Sequence, residues 1–330
     1  MKTLIPIVFF LFTLLGYGQD APYITVRRTA KLMGSSFEIT LVTDNEQIGY
    51  INLDEATAEI QRIEKLISSW DETSETSQIN KNAGIRPVKV SHELFGLIER
   101  AKQISELTNG AFDITSATLY DYWKFDGSME RMPTTLELEK ALTKVDYRKI
   151  VLNKSQSTVF LKEKNMKINF NAIGKGYAVD KAKELLVSKG VVSGVINASG
   201  DLTTWGTKAS GDRWLLGIAN PKSENKLFSW VPIVESSVAT TVVDERYITI
   251  GNKKYGHIID PRTGYPITGV KSVHIFTKTA ELADALATAI SVLGRDSGLA
   301  LVNQLRGTEV IVVDDNNKMY KTGGVLYSSK

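Results

Sequence analysis

The sequence contains no cysteine. Disulfide frameworks, thiolate metal sites, thiol nucleophiles and a lipid-modified N-terminal cysteine are therefore excluded. Histidine is scarce: His92, His257 and His274 are the only three, so imidazole chemistry has few places to sit. There is no lysine/arginine block and no basic stripe interleaved with aromatics. The net charge of +3 is spread along the chain and gives no sign of a nucleic-acid partner. No Pro/Gly/Ser linker, solenoid-period repeat or low-complexity segment divides the chain. Long apolar runs are also missing, with one exception near the start. Lys2 is followed by "TLIPIVFFLFTLLGY", too short to span a bilayer comfortably, and Gly16 and Gly18 stand at positions −3 and −1 of a cleavage site. Residues 1–18 read as a signal peptide and 19–330 as the mature chain of an exported protein; an uncleaved anchor is the alternative.

What is present is ordinary for a globular protein. The chain has 330 residues with 42% hydrophobic and 23% charged content, enough to bury a core without staples. "DEATAEIQRIEKLI" (residues 54–67) places Ile60, Ile63 and Ile67 at helical spacing. "SHELFGLIERAKQISELTNG" (91–110) begins with a Ser cap, aligns Leu94, Leu97, Ile98, Ala101 and Ile104, and stops at Asn109-Gly110. A helix is expected from about Lys175 to Gly190, followed by a buried strand in "VVSGVI". Residues 246–259 predict a hairpin turning at Gly251-Asn252. "KSVHIFTK" predicts a strand, "AELADALATAISVLG" a helix closed by Gly294, and "TEVIVVDDNNKMYKT" a last hairpin. Helices mixed with antiparallel hairpins argue for an α+β fold, organised as one unit, rather than a doubly wound parallel sheet.

Five stretches carry candidate chemistry. In "INFNAIGKGYAVDKAKELL" (168–186) a lysine stands between two glycines where a helix begins, an arrangement suited to a phosphate. It fits neither G-x-x-x-x-G-K-[ST] nor G-x-G-x-x-G, and a plain strand–turn–helix corner is the simpler alternative. In "ELADALATAISVLG", Leu282, Leu286, Ala289 and Leu293 form the apolar stripe. Asp284 lies about 200° round from Leu282, with Thr288 one turn beyond it. A carboxylate and a hydroxyl at i, i+4 are hard oxygen ligands suited to Mg²⁺; a solvated polar face near a helix N-terminus is the alternative. "KKYGHIIDPRTGYPI" (253–267) brings a histidine, an aspartate and an arginine together across a turn, and histidine is the usual general base near neutral pH. His92, in a helix's first turn, and His274, mid-strand, are expected to be structural. "SSWDETSETSQIN" puts Trp70 in a polar loop after a helix, where an indole fills a satellite core or stacks on a flat ligand. "NGAFDIT" combines a helix stop with Phe112 and Asp113.

In this order, the stretches resemble the ApbE family, the FAD:protein FMN transferases. The resemblance runs from "MGSSFEIT" (33–40) through "SSWDETSETSQIN", "GAFDIT", "NAIGKGYAVD", "NASGDL", "SVATT" and "HIIDPRTGYP" to "ADALATAISVLG". It implies a T-fold-like α+β architecture with the nucleotide in a deep cleft. It also implies an exported, periplasmic or membrane-attached enzyme that binds FAD and Mg²⁺, Mn²⁺ being compatible with the same oxygen ligands. The implied reaction moves FMN to a threonine or serine hydroxyl of an exported or membrane acceptor protein and releases AMP. Carried over residue by residue, Met33 and Trp70 line the flavin side, and Ala111, Phe112 and Asp113 meet the cofactor at a helix end. Asn169, Lys175 and Ile258 are further cofactor contacts, with the glycine turn facing the FAD pyrophosphate. Asp284, Thr288 and the main-chain carbonyl of Ala172 form the metal site, and His257 takes the proton of the acceptor hydroxyl.

Two departures from the family pattern bear on how closely the backbone approaches the ligand. Ser199 stands where the first of two glycines is usual, and Thr241-Val242 where Ser-Gly is usual. "DITSAT" (113–118) is similar to the family's acceptor motif but one residue short. Because Asp113 already has a cofactor role, self-modification is not expected. Two further functions fit the same residues: an FAD pyrophosphatase, with water in place of the acceptor hydroxyl, and a non-catalytic exported flavin-binding protein.

Overall fold

A computed structural model describes residues 23–220, 223–233, 235–243 and 246–325. The segment read as a signal peptide lies outside the described residues. The chain opens with an antiparallel hairpin, β1 (Ile24–Leu32) and β2 (Ser35–Thr43), in which Leu32 pairs with Ser35. Only two residues turn it, Met33 (φ 50°) and Gly34 (φ 71°); two successive left-handed residues make a type I′ turn that matches the twist of the strands. Helix α1 (Glu46–Ile67) follows, capped by the Asn45 side chain accepting from the Ile48 N–H. It begins eight residues before the expected Asp54, because that cap starts the helix ahead of the apolar stripe.

Next come α2 (Glu75–Lys81), β3 (Val88–Lys89) and α3 (His92–Leu107), with Ser91 capping α3 as its sequence predicts. A 3₁₀ segment (Ile114–Asp121), α4 (Thr135–Leu142), β4 (Ile150–Asn153) and β5 (Thr158–Leu161) lead to α5 (Gly174–Ser188). The remaining strands are β6 (Ser193–Ala198), β7 (Asp201–Trp205), β8 (Trp214–Asn220), β9 (Ser223–Ile233), β10 (Ser237–Val242), β11 (Tyr247–Ile250), β12 (Lys253–Gly256) and β13 (Val270–Thr277). Helix α6 (Ala280–Val302) and the hairpin β14 (Glu309–Asp314) and β15 (Met319–Lys321) complete the chain. Gly294 (φ 78°) breaks α6, as its sequence predicts, but a second helical segment continues to Val302.

Eight strands form one open antiparallel sheet in the order β1-β2-β6-β7-β10-β13-β14-β15. This is the expected α+β class; the described strands do not close into a barrel. Helices α1, α5 and α6 lie against the sheet and against one another. Alternate strand residues such as Phe37, Ile39, Leu41 and Ile196 meet Ile60, Ile63 and Ile67 of α1 and Ala178 and Ala182 of α5. Val273, Ile275, Val310 and Val312 meet Leu286 and Ile290 of α6. Although α6 is long and apolar enough to cross a membrane, it packs into this core against β10, β13 and α5. The layered arrangement brings three helix ends and three strand ends to one edge of the sheet.

Candidate functional site

At that edge lies a cavity of about 760 Å³, within the range of ligand-binding clefts. The β1–β2 turn contributes Met33, the end of α1 contributes Ile67 and Ser68, and the loop after it contributes Trp70. The start of α5 contributes Lys175, β7 contributes Asp201, β10 contributes Thr240 to Val242, and α6 contributes Asp284 and Thr288. His257 and Ile258, just after β12, complete the wall. Seven of the predicted residues, Met33, Trp70, Lys175, His257, Ile258, Asp284 and Thr288, are therefore brought to one cavity from distant parts of the chain.

The N-terminus of α5 holds an anion, and the anion is a side chain of the protein. Ile173 at the cap position provides no side-chain acceptor. The Asp284 carboxylate accepts instead from the Gly176 N–H at 3.1 Å and from the Lys175 N–H. Asp284 is buried, not on a solvated polar face, because the start of α5 packs against α6 at this position. A Cβ at Gly176 would run into the Ala280 carbonyl and the Asp284 Cβ, so only glycine lets the two helices approach this closely.

The Lys175 ammonium is ion-paired with Asp201, itself almost fully buried at the start of β7. Asp201 also accepts from the Thr240 N–H. Burial pushes both carboxylic acids above their ordinary range, and for Asp201 the Asp284 charge pushes the same way; Lys175 opposes the shift in both. Two buried carboxyl groups thus stand near one ammonium, which ion-pairs with Asp201, and burial favours the protonated form of both acids. Among the described residues no three His, Asp or Glu side chains converge as a metal cluster. A cation placed here would meet few protein oxygens, the coordination of a metal that keeps waters and substrate oxygens.

His257 is half-buried. Its Nδ1 faces the Arg246 carbonyl at 3.3 Å, and its own main-chain N–H donates to the same oxygen at 3.0 Å. A donating Nδ1–H makes Nε2 the basic nitrogen. Tyr120 reaches the His257 carbonyl from the side at 3.4 Å. Asp260, the nearest carboxylate in sequence, is bound by the Arg262 guanidinium at 2.9 and 2.8 Å and is committed to that turn.

Four predicted cofactor residues and one metal ligand do not line the cavity. Ala111 and Phe112 are buried in the cores around α6 and α1. Asp113 accepts from the Thr115 N–H and hydroxyl at 2.8 and 2.7 Å and from the Tyr147 N–H at 2.8 Å. Burial raises its pKa to about 6 against those hydrogen bonds. Asn169 ties the loop before α5 to the 3₁₀ segment, its N–H donating to the Ile114 carbonyl at 3.1 Å. Ala172 lies half-buried in the same loop, beside the cavity-lining Asn171. Thr118 of the motif-like "DITSAT" is buried and accepts from the Lys167 N–H at 3.2 Å, away from any acceptor role.

Sequence reasoning missed Asp201 and an aromatic wall. Asp201 had no spacing signal, since its partner Lys175 lies 26 residues earlier. The wall comes from "LYDYWKFD", where Tyr120 and Phe125 line the cavity and Trp123 stacks on Phe125 with ring centroids 6.3 Å apart. Four aromatics within six residues, interleaved with charges, were the available clue. The two departures resolve differently. Ser199 is left-handed (φ 53°), and its Oγ donates to the Ser36 carbonyl at 3.0 Å while accepting from the Ser36 N–H at 3.2 Å. Thr241 and Val242 sit in the extended strand β10, where no glycine is required.

The fold and cavity define a helix-layered α+β protein with a charged pocket in the size range of ligand-binding clefts. The sequence profile of the ApbE family matches residues 33–312, and the chain belongs to that family. The FAD:protein FMN transferase of Treponema pallidum (strain Nichols) is 31% identical over 289 residues, 83% of this chain and 80% of that protein. The Vibrio cholerae serotype O1 protein of the same name is 27% identical over 317 residues, 92% of each chain. Among solved structures, the ApbE protein of Thermotoga maritima superposes with a TM-score of 0.83 at 30% identity, covering 91% of this chain and 97% of that one.

Proposed function

We infer that this protein transfers FMN from FAD to a threonine or serine hydroxyl of an exported or membrane acceptor protein, releasing AMP, and that it depends on Mg²⁺ or Mn²⁺. The names of its relatives support flavin transfer. The observation that supports the metal dependence is the pair of buried carboxyl groups at one end of the cavity with a single ammonium beside them: a bound cation would hold both in the ionised form that burial disfavours and would offset the charge of a diphosphate. Asp284 and Thr288, which line the cavity, would hold that cation, which when bound would supply charge neutralisation at the diphosphate. Export of the chain, by cleavage after residue 18, belongs to the same reading.

The chain's own groups account for the rest. Lys175, anchored by Asp201, presents a fixed positive charge where the leaving AMP phosphate gains negative charge. Trp70, Tyr120 and Phe125 offer faces on which flat rings stack. Nε2 of His257 takes the proton of the acceptor hydroxyl as its oxygen bonds to the FMN phosphorus; the P–O bond to AMP breaks, and its electron pair leaves with AMP.

Incubation of the mature protein with FAD, Mg²⁺ and candidate exported proteins tests this reading. Stoichiometric AMP release with covalent flavin fluorescence on a denaturing gel is the expected result. AMP and FMN without a fluorescent protein band would make the protein a hydrolase. Bound FAD with neither product would make it a flavin carrier.

A further inference from the structure

The helices α5 and α6 cap each other. While Asp284 of α6 accepts from the first N–H groups of α5, Asp180 of α5 accepts from the first N–H groups of α6. One Asp180 oxygen takes the Ala280 N–H at 2.9 Å and the other takes the Glu281 N–H at 2.8 Å. Both oxygens are engaged, so the grip fixes the rotation as well as the height of the first turn of α6. Asp284 stands one turn beyond Ala280, and Thr288 one turn beyond Asp284. Asp180 itself does not line the cavity, and it faces the opposite side of the helix pair with Arg100 and Lys181. At Gly176 the two helices are so close that a Cβ would meet the Ala280 carbonyl.

We propose that Asp180 is a positioning residue for the cation site: by clamping the N-terminus of α6 it sets where Asp284 and Thr288 stand against the start of α5. This rests on the reading of Asp284 and Thr288 as cation ligands. A group that orients a ligand from behind typically changes metal affinity by 10–100-fold when removed. An asparagine at position 180 keeps the shape but offers one acceptor for two donors.

The test is Mn²⁺ binding by electron paramagnetic resonance, with the metal alone and with ADP as a diphosphate that carries no flavin. Asp180→Asn should weaken Mn²⁺ about tenfold, and the metal concentration needed for half-maximal turnover should rise while kcat at saturating metal stays near the parent value. Thr134→Ala, which breaks the capping box of α4, should lower thermal stability and leave Mn²⁺ affinity unchanged. If Asp180→Asn does not fold, Asp180→Ser, with one hydroxyl acceptor, carries the same expectation. Unchanged Mn²⁺ affinity in the Asp180 variant, with binding lost in Asp284→Asn, overturns the proposal alone. An equal loss in Thr134→Ala overturns it too, since the effect would then be general destabilisation. Retained Mn²⁺ binding in Asp284→Asn overturns the ligand reading, and the proposal with it.

Discussion

The two ends of the cavity are built in opposite ways. At the charged end, Asp201 and Asp284 are buried on a strand and a helix, each has several partners, and Lys175 is ion-paired between secondary-structure elements. At the aromatic end, Trp70 is 68% exposed on a loop and Tyr120 is among the exposed aromatics. The charged end has few ways to rearrange, because moving any one group strands another buried charge. Trp70 at the aromatic end can re-orient at little cost, while Trp123 at the same end is buried and donates to the Gly264 carbonyl at 2.8 Å. On the proposed function, the contrast would put charge neutralisation at the rigid end, where geometry must be held when the ligand arrives, and capture of flat rings at the exposed Trp70.

Substitutions should separate the two ends. Asp284→Asn should have the largest effect, lowering metal-dependent turnover by ~10³-fold or more, equivalent to about 4 kcal/mol of transition-state stabilisation. The asparagine oxygen still accepts from the Gly176 N–H, so circular dichroism should report a folded protein. Normal turnover at low Mg²⁺ would remove Asp284 from the metal site. Trp70→Ala should raise the flavin KM several-fold, up to ~10-fold, with kcat little changed, since one stacked aromatic contributes about 0.5–1.5 kcal/mol. A fall in kcat at unchanged KM would place Trp70 in the chemical step and blur the division. Ser199→Gly should have the smallest effect. Loss of the two Ser36 hydrogen bonds is offset by relief of a left-handed non-glycine residue, leaving stability within about 1 kcal/mol of the parent by urea unfolding. A loss well above that would mean the Ser199 clamp holds the β6–β7 turn and, through it, Asp201.

The sequence was most informative where the signal is local. The Ser91 cap, the hairpin turn at Gly251-Asn252 and the break at Gly294 were all legible, because a few adjacent residues decide each of them. The start of α1 was not, since Ile48 and Ile51 in its first turns are exposed and blur the apolar period. Strand order was not legible either: β2 pairs with β6 more than 150 residues later, and nothing in either strand names its partner. At the site, the stretches around Lys175, His257 and Asp284 stood out by residue type and spacing. The Asp284 environment was open between ligand and solvated face because a helix covered on two sides looks, in one-dimensional period, like one covered on a single side. The anion at the start of α5 shows the same limit. The turn advertises an anion site, but only the packing of α6 reveals that Asp284 supplies the anion.

The central claim is that the cavity performs a transfer whose proton is taken by His257. The direct test compares covalent flavin transfer by the parent protein and by His257→Asn across pH, with FAD binding measured alongside. The parent rate should climb with pH as the imidazole loses its proton. The variant should bind FAD nearly as tightly, lose that ascending limb and transfer ~10²–10⁴-fold more slowly. Full transfer with an unchanged pH profile would contradict the account, and so would loss of FAD binding in step with loss of transfer.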